Sequence, residues 1–356
     1  MNLQTLGFTT YFEQQLEQLR APFSTKTVHI GRVLLEHKHM YRVITEQREV
    51  LATVSGSFAH EAVAREQYPA VGDFVLLEYM DGEDRAIIHA LFTRSSKFAR
   101  KVAGRDIEEQ IVAANVDVLL LVMSVNDDFN VRRLERYIAA SWDSGAQPIV
   151  VLTKTDLCDD VTPFIEQVEQ IAFGIDVYAV SVVTQHGLAA LSSRLTVGKT
   201  AALVGSSGAG KSSLTNALGQ NEHMQVASIR EDDAKGRHTT THRELVILPS
   251  GACLIDTPGM RELQLWTDSD SVGASFQDIE ELSEQCRFRN CTHINEPGCA
   301  VVEAREQGIL TEERWQNYVK LQREAAYLAQ KTSRDAQLIE KRKWKQISKG
   351  LKKNKR

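Results

Sequence analysis

Gly205-Ser206-Ser207-Gly208-Ala209-Gly210-Lys211-Ser212 fits the pattern G-x-x-x-x-G-K-[ST] in full. The apolar run Ala201-Ala202-Leu203-Val204 leads into it, and a helix opening with Ser212-Ser213-Leu214 leads out. Its glycines let the backbone curl so that N–H groups point at phosphate oxygens, at the positive end of that helix. Gly205 through Ser213 are therefore the expected phosphate-binding residues, with Lys211 neutralising the β- and γ-phosphates and the Ser212 hydroxyl ligating magnesium. Outward from the loop, apolar strand-like runs (116–122, 148–152, 177–180, 200–204, 245–249, 253–256) alternate with helical ones (131–141, 163–173, 188–195, 211–218). That alternation predicts an α/β domain with a mostly parallel sheet covered on both faces.

Two further motifs give the loop its chemistry. Asp256-Thr257-Pro258-Gly259 follows the strand-like run Ala252-Cys253-Leu254-Ile255. A carboxylate at the end of a buried strand is costly unless it meets a cation or donors, so Asp256 is expected in the magnesium shell and Gly259 N–H at the γ-phosphate. Upstream, Ile149-Val150-Val151-Leu152 runs into Thr153-Lys154-Thr155-Asp156, of the form [N/T]-K-x-D. The Asp156 carboxylate can accept from guanine N1–H and its exocyclic amine, a pattern adenine does not offer. The Lys154 stem can pack over the base, and Ser181-Val182-Val183 supplies a second loop against the base edge. The T-K-T-D and D-T-P-G pair disfavours a P-loop kinase or metabolic ATPase.

The order of these motifs is unusual. The base-reading motif at 153–156 precedes the phosphate loop at 205–213, and Asp256 to Gly259 comes last. The same sheet forms if the chain is cut elsewhere, because strand neighbours make the site. The cut also ties the magnesium-side switch to whatever follows Trp266, so that the state of the γ-phosphate can be passed on. Between loop and Asp256 lies Gly236-Arg237-His238-Thr239-Thr240-Thr241-His242, after the charged stretch 230–235 that has no apolar period. Either Thr240 or Thr241 is expected to ligate magnesium. Met260 follows Gly259 where a Ras-type enzyme carries its water-positioning glutamine, which predicts slow intrinsic hydrolysis. His238 is the candidate for the missing catalytic group, a backbone rearrangement or a partner being the alternatives.

Five short β-rich runs between residues 28 and 92, with turn signals such as Val71-Gly72-Asp73, suggest a small β-barrel. An OB-type barrel suits that strand count, although periodicity does not separate it from an SH3-like one. Before it, Phe12, Leu16 and Leu19 mark a short amphipathic helix ending near Pro22. After it, 94–105 is a basic connector. Near the other end, Cys286-x4-Cys291-x-His293-x5-Cys299 sets four zinc ligands within fourteen residues, which suits a closed structural site. Cys158 and Cys253 sit in or beside strand-like runs and are expected in or near the core. A last helix starts at Thr311. The segment 331–356 carries eleven basic residues against two acidic ones, a net +9 that leaves −14 on the rest of a chain whose total is −5. A basic tail on an acidic body points to a polyanionic partner. With 42% hydrophobic residues and no apolar run near the ~18 needed to span a bilayer, the chain is expected to be cytoplasmic and to need no membrane.

Taken together, the permuted motifs, the loop G-S-S-G-A-G-K-S-S, the segment G-R-H-T-T-T and the cluster C-R-F-R-N-C-T-H-I-N-E-P-G-C resemble the RsgA (YjeQ) family, the small-subunit-dependent GTPases of bacterial ribosomes. The resemblance covers roughly residues 28 to 330. It implies a multidomain α/β chain: an OB-fold-like barrel (27–93), a central circularly permuted P-loop GTPase domain (111–265) reached through a linker (94–110), and a C-terminal helical zinc-binding domain (266–330); the N-terminal extension (1–26) and the basic tail (331–356) vary within such families. It implies GTP and GDP, Mg2+ and one structural Zn2+ as bound groups. It also implies binding to the small ribosomal subunit and its rRNA, with GTP hydrolysis under the subunit's stimulation; nothing in the sequence demands more than a monomer. The family commonly has asparagine where this chain has Thr153.

Overall fold

The computed structural model describes residues 2–37, 40–62, 64–80, 83–101, 109–219, 243–257 and 269–330. The charged stretch 230–235, His238, Thr240, Thr241, Gly259, Met260 and the tail 331–356 lie outside them.

Five strands come first: β1 (His29–His37), β2 (Met40–Thr45), β3 (Glu49–Val54), β4 (Phe74–Tyr79) and β5 (Arg85–Leu91). They pair in the order β1-β2-β3-β5-β4, and β4 returns to β1, so the sheet closes on itself. Closure removes the edges that an open five-stranded sheet would expose. The strand order, with β3 and β5 parallel and the rest antiparallel, is that of an OB-type barrel. Period-two alternation fills it: Val43, Val50, Ala52, Val75 and Leu77 point inward, while Leu51 points out.

The N-terminal segment is packed onto this barrel. Its helix, Thr10–Arg20, and the turn before it bury Phe8 and Phe12 against Phe74 and Phe92, with ring centroids 4.7 to 6.2 Å apart. Beside them Arg32 is wholly buried. Its guanidinium donates to the carbonyls of Leu6, Gly72 and Asn115 and lies 4.8 Å from the Phe74 ring centroid. Gly72 sits at φ +96°, and a Cβ there would lie 2.2 Å from the Ala114 carbonyl oxygen.

The basic connector contains two strands, β6 (Lys97–Lys101) and β7 (Glu109–Ala114), which pair with each other. This differs from the linker expected over 94–110. The lysines and arginines that made the segment look solvated flank Phe98 and Ala99, which are buried. They are also paired across the ladder, Lys97 with Glu109 at 2.9 Å and Arg100 Nε with Gln110 Oε1 at 3.0 Å.

The central sheet follows: β8 (Val118–Ser124), β9 (Gln147–Thr153), β10 (Val177–Ala179), β11 (Thr200–Val204), β12 (Glu244–Ile247) and β13 (Cys253–Asp256). Its order is β10-β9-β8-β11-β13-β12, parallel except for β12. Alternate residues of β8 enter two apolar clusters, Leu119, Leu121 and Met123 on one face and Val118, Leu120 and Val122 on the other. Helices Val131–Ser144, Thr162–Glu169, Leu188–Arg194 and Lys211–Gly219 connect the strands. Cys253 is fully buried, and Cys158 is half-buried against the first cluster. The edge strand β12 pairs with β1, so barrel and central sheet form one run of eleven strands.

The described residues fall into two compact units, the second holding the C-terminal helices. Ser269–Ser275, Gln277–Glu284, Ala300–Glu306 and a helix over 312–330 close around Phe276, Ile279, Val301, Leu310 and Trp315. The Thr311 hydroxyl accepts from Arg314 N–H at 3.3 Å and caps the last of them, as its sequence position predicts. No helix among the described residues is long and apolar enough to cross a membrane.

Candidate functional site

The phosphate loop leaves β11 between β8 and β13, in the middle of the sheet, at the carboxyl ends of its parallel strands. Gly205 presses against β8 so closely that a Cβ would lie 2.2 Å from the Val122 carbonyl oxygen. Gly208 and Gly210 take φ values of +83° and +92°, which side chains rarely adopt. Ser207 and Gly208 are exposed, Ser206 and Ala209 buried, and Gly210, Ser212 and Ser213 half-buried as the helix begins. Lys211 is buried, and its ammonium donates to the carbonyls of Gly205 and Ser206 at 2.7 Å each. Burial pushes its pKa down, while Asp256 and Asp128 oppose the shift.

Asp256 ends β13 and is 1% exposed. Neither of its carboxylate oxygens meets a hydrogen-bond partner among the described residues. Burial raises its pKa and the Lys211 charge opposes the rise. A buried carboxylate in that condition costs several kcal/mol unless a cation meets it. With the Ser212 hydroxyl on the adjoining helix, this donor set fits a hard divalent cation. Thr257, the residue after β13, donates its hydroxyl to the Leu203 carbonyl of β11.

On the base side, β9 delivers Thr153, whose hydroxyl donates to the Ala209 carbonyl at 2.6 Å. Thr153 thus ties the base-reading segment to the phosphate loop. Lys154 follows in the left-handed region, φ +60°, a strained conformation that turns Asp156 out to solvent. Ser181, at the end of β10, donates to Asp156 Oδ1 at 2.6 Å, and its Oγ accepts from Thr184 N–H at 3.1 Å. Val182 is half-buried and Val183 exposed on the same loop. Thr155, Asp156, Cys158, Thr184 and His186 line an open hollow of about 470 Å³.

The structure therefore brings together three segments that stand far apart in sequence: 153–156, 181–183 and 205–213, with Asp256 beside them. One participant is absent from the sequence reading. Asp128, in the loop after β8, accepts from the Ser206 hydroxyl of the phosphate loop and is held by Arg133 Nη1 at 2.9 Å. Its signal was the polar run Asn126-Asp127-Asp128 at the end of a fully buried strand, the same signal that identified Asp256.

In the second unit, the ligand atoms of Cys286, Cys291, His293 and Cys299 all lie within 4.8 Å of one another. His293 Nδ1 is 3.5 Å from Cys286 Sγ and 3.4 Å from Cys299 Sγ, and the two sulfurs are 3.8 Å apart. A tetrahedron with Zn–S bonds of about 2.3 Å and a Zn–N bond of about 2.0 Å has edges close to these values. Three thiols and an imidazole so placed could hold one metal ion in a closed shell.

Fold and site together define a P-loop GTPase whose sheet is assembled from a circularly permuted chain. The sequence model described as RsgA GTPase matches residues 91–266, and that of the ABC transporters matches 188–354, a span that includes the phosphate loop but not Thr153 to Asp156. A relative from Oceanobacillus iheyensis named "Small ribosomal subunit biogenesis GTPase RsgA 1" is 47% identical over 326 residues, 91% of this chain and 93% of its own. One from Listeria monocytogenes named RsgA 2 is 45% identical over 99% of this chain and 97% of its own. The crystal structure of YjeQ from Thermotoga maritima superposes with a TM-score of 0.64 at 26% identity, covering 84% of this chain and 99% of its own. YloQ, described as a circularly permuted GTPase, gives 0.60 at 28%, covering 84% and 96%. The chain belongs to the RsgA family of GTPases and is a GTP hydrolase.

Proposed function

We propose that this chain hydrolyses GTP as a factor acting on the small ribosomal subunit late in its maturation, and that the subunit stimulates the hydrolysis. The observation that carries the reading is the match, over 91–99% of the chain and at 45–47% identity, to relatives named for small-subunit biogenesis.

Each residue has a role in this reading. Backbone N–H groups of Gly205 to Ser213 cradle the phosphates, and Lys211 exchanges its two loop carbonyls for β- and γ-phosphate oxygens. Ser212, Asp256 and one of Thr240 and Thr241 hold Mg2+, which when bound neutralises charge between the β- and γ-phosphates. Gly259 N–H reports on the γ-phosphate. Asp156, oriented by Ser181, accepts from guanine N1–H and the exocyclic amine, Lys154 covers the base, and Thr155, Val182 and Val183 border it. Met260 offers nothing to orient water, so unaided turnover is slow, with His238 the candidate for the missing catalytic group and a backbone rearrangement or a partner the alternatives. Cys286, Cys291, His293 Nδ1 and Cys299 hold one structural Zn2+, whose closed shell stabilises the C-terminal unit and takes no part in hydrolysis. The barrel, the connector and the basic tail contact rRNA through phosphate electrostatics. The protein acts as a cytoplasmic monomer.

The test is GTP turnover with and without purified small subunits. Stimulation of at least about tenfold is expected, since supplied catalytic groups in this enzyme class give 10³ or more. Turnover unchanged at saturating subunit would remove the ribosomal reading.

A further inference from the structure

One cross-strand row runs from the barrel to the carboxylate beside the phosphate loop, starting just past the bulge that β1 makes between Val33 and Leu35. Arg42 on β2 lies opposite Leu35 on β1, Leu35 opposite Glu244 on β12, and Glu244 opposite Asp256 on β13. Residues directly opposite one another share a sheet face, with Cβ atoms about 5 Å apart. Across Leu35, the Arg42 guanidinium reaches the Glu244 carboxylate and bonds it through Nη2. Strands β1 and β12 share a single register pair, and the ion pair spans the same joint from β2 to β12. The residue before it, Arg243, is also inserted into the joint, donating to the Ile111 carbonyl of β7 at 3.2 Å. Both ends of the row are tied to something that matters for turnover. Asp256 is the unsatisfied buried carboxylate of the nucleotide site, and Arg42 belongs to the barrel sheet.

We propose that Arg42 and Glu244 are positioning residues that couple the barrel to Asp256, so that RNA held on the barrel sets the placement of this carboxylate and with it the rate of GTP hydrolysis. The inference rests on the reading of the barrel as an RNA-docking surface. Backbone ladders fix strand spacing, so a displacement of β1 and β2 reaches β12 and β13 as a shift of the whole row. A misplacement of about 1 Å at a catalytic centre is enough to change rates about a hundredfold. Neither Arg42 nor Glu244 lies at the nucleotide, and each is about a third exposed, so the basal site is complete without them.

The experiment uses the full chain and purified small subunits. Arg42→Ala, Glu244→Ala, the double variant and the swap Arg42→Glu/Glu244→Arg are compared for basal turnover, subunit-stimulated turnover and co-sedimentation with subunits. Basal turnover and the subunit affinity of Glu244→Ala should stay within about twofold of wild type. Stimulated kcat should fall about five- to tenfold in each single variant, no further in the double, and recover in the swap, the range of ordinary allosteric coupling. If thermal melting shows a variant to be unfolded, Glu244→Gln removes the charge at constant shape. Full stimulation of Glu244→Ala at unchanged affinity overturns the proposal. So does a swap that restores nothing. A wild-type protein that subunits fail to stimulate strikes the functional reading instead.

Discussion

Thr153 stands where the base-reading and phosphate-binding loops meet, and its hydroxyl spans them. The sequence marks it as a member of the T-K-T-D motif, but what it bonds was not legible, since the Ala209 carbonyl lies 56 residues away along the chain. Thr153→Val keeps the shape and removes the donor, leaving a buried carbonyl unpaired at about 1 kcal/mol. GTP and GDP affinities should then fall together by roughly fivefold, with the guanine preference intact. Equal affinities for the variant and wild type in a fluorescent-nucleotide titration would show the tie to be idle. Asp156 behaves in the opposite way. Its proposed role comes from the sequence, where a carboxylate after a buried strand matches the guanine donor pair. Asp156→Asn should leave the loops in place and move preference from GTP toward XTP by about a hundredfold or more, read from competitive binding.

The metal loop is the element in which sequence and structure divide most cleanly. Its four candidate ligands were readable at once, because thiol and imidazole chemistry at short spacing has few other uses. What holds the loop was not readable. Glu296 accepts from the Thr292 hydroxyl and from the N–H groups of Thr292 and Ile294 at 3.0 Å and of Asn295 at 3.2 Å, and these bonds, the hydroxyl's above all, hold its carboxyl down at a pKa of about 2. Between those donors His293 is kept at φ +58°. A glutamate acting on one hydroxyl and a run of backbone N–H groups leaves no mark in sequence that separates it from any surface acid. The connector shows the same blindness, since its charges hid the strands around Phe98. Groups that orient ligands typically carry 10- to 100-fold in metal affinity. Glu296→Ala is therefore expected to lose metal about tenfold more readily to a chromophoric chelator, while the far-ultraviolet circular dichroism of the loaded protein is unchanged. Full chelation should lower the melting temperature of the C-terminal unit and leave GTP binding in the other unit as it was. A single shared loss of both would contradict the division into two units.

At the scale of the whole molecule, the order of motifs was legible and the joining of the barrel to the sheet was not. Strand runs came out within about two residues because buried strands carry near-continuous apolar sequence. Register between β1 and β12 depends on long-range pairing that no local pattern encodes. The N-terminal segment is the sharpest instance. Its amphipathic stripe was plain, but a stripe does not name the surface it covers, and the reading of residues 1–26 as an extension left them outside the barrel. In the structure Phe8 and Phe12 are 6% and 2% exposed, packed on Phe74 and Phe92, and the Leu6 carbonyl is one of three acceptors of the buried Arg32. Deleting residues 1–23 would expose two phenylalanine faces, those of Phe74 and Phe92, and take an acceptor from a buried guanidinium. Each fully buried phenylalanine contributes about 2 to 3 kcal/mol, so a loss of at least about 4 kcal/mol is expected. For a unit of this size that is a fall of roughly 10 °C in melting temperature. Phe12→Ala, which keeps the chain intact, should cost about 3 to 5 kcal/mol in urea unfolding through the cavity it leaves. Deletion and substitution must agree in direction. A truncated protein that melts with the full chain would mean that the aromatic cluster closes over itself and the segment is an appendage after all.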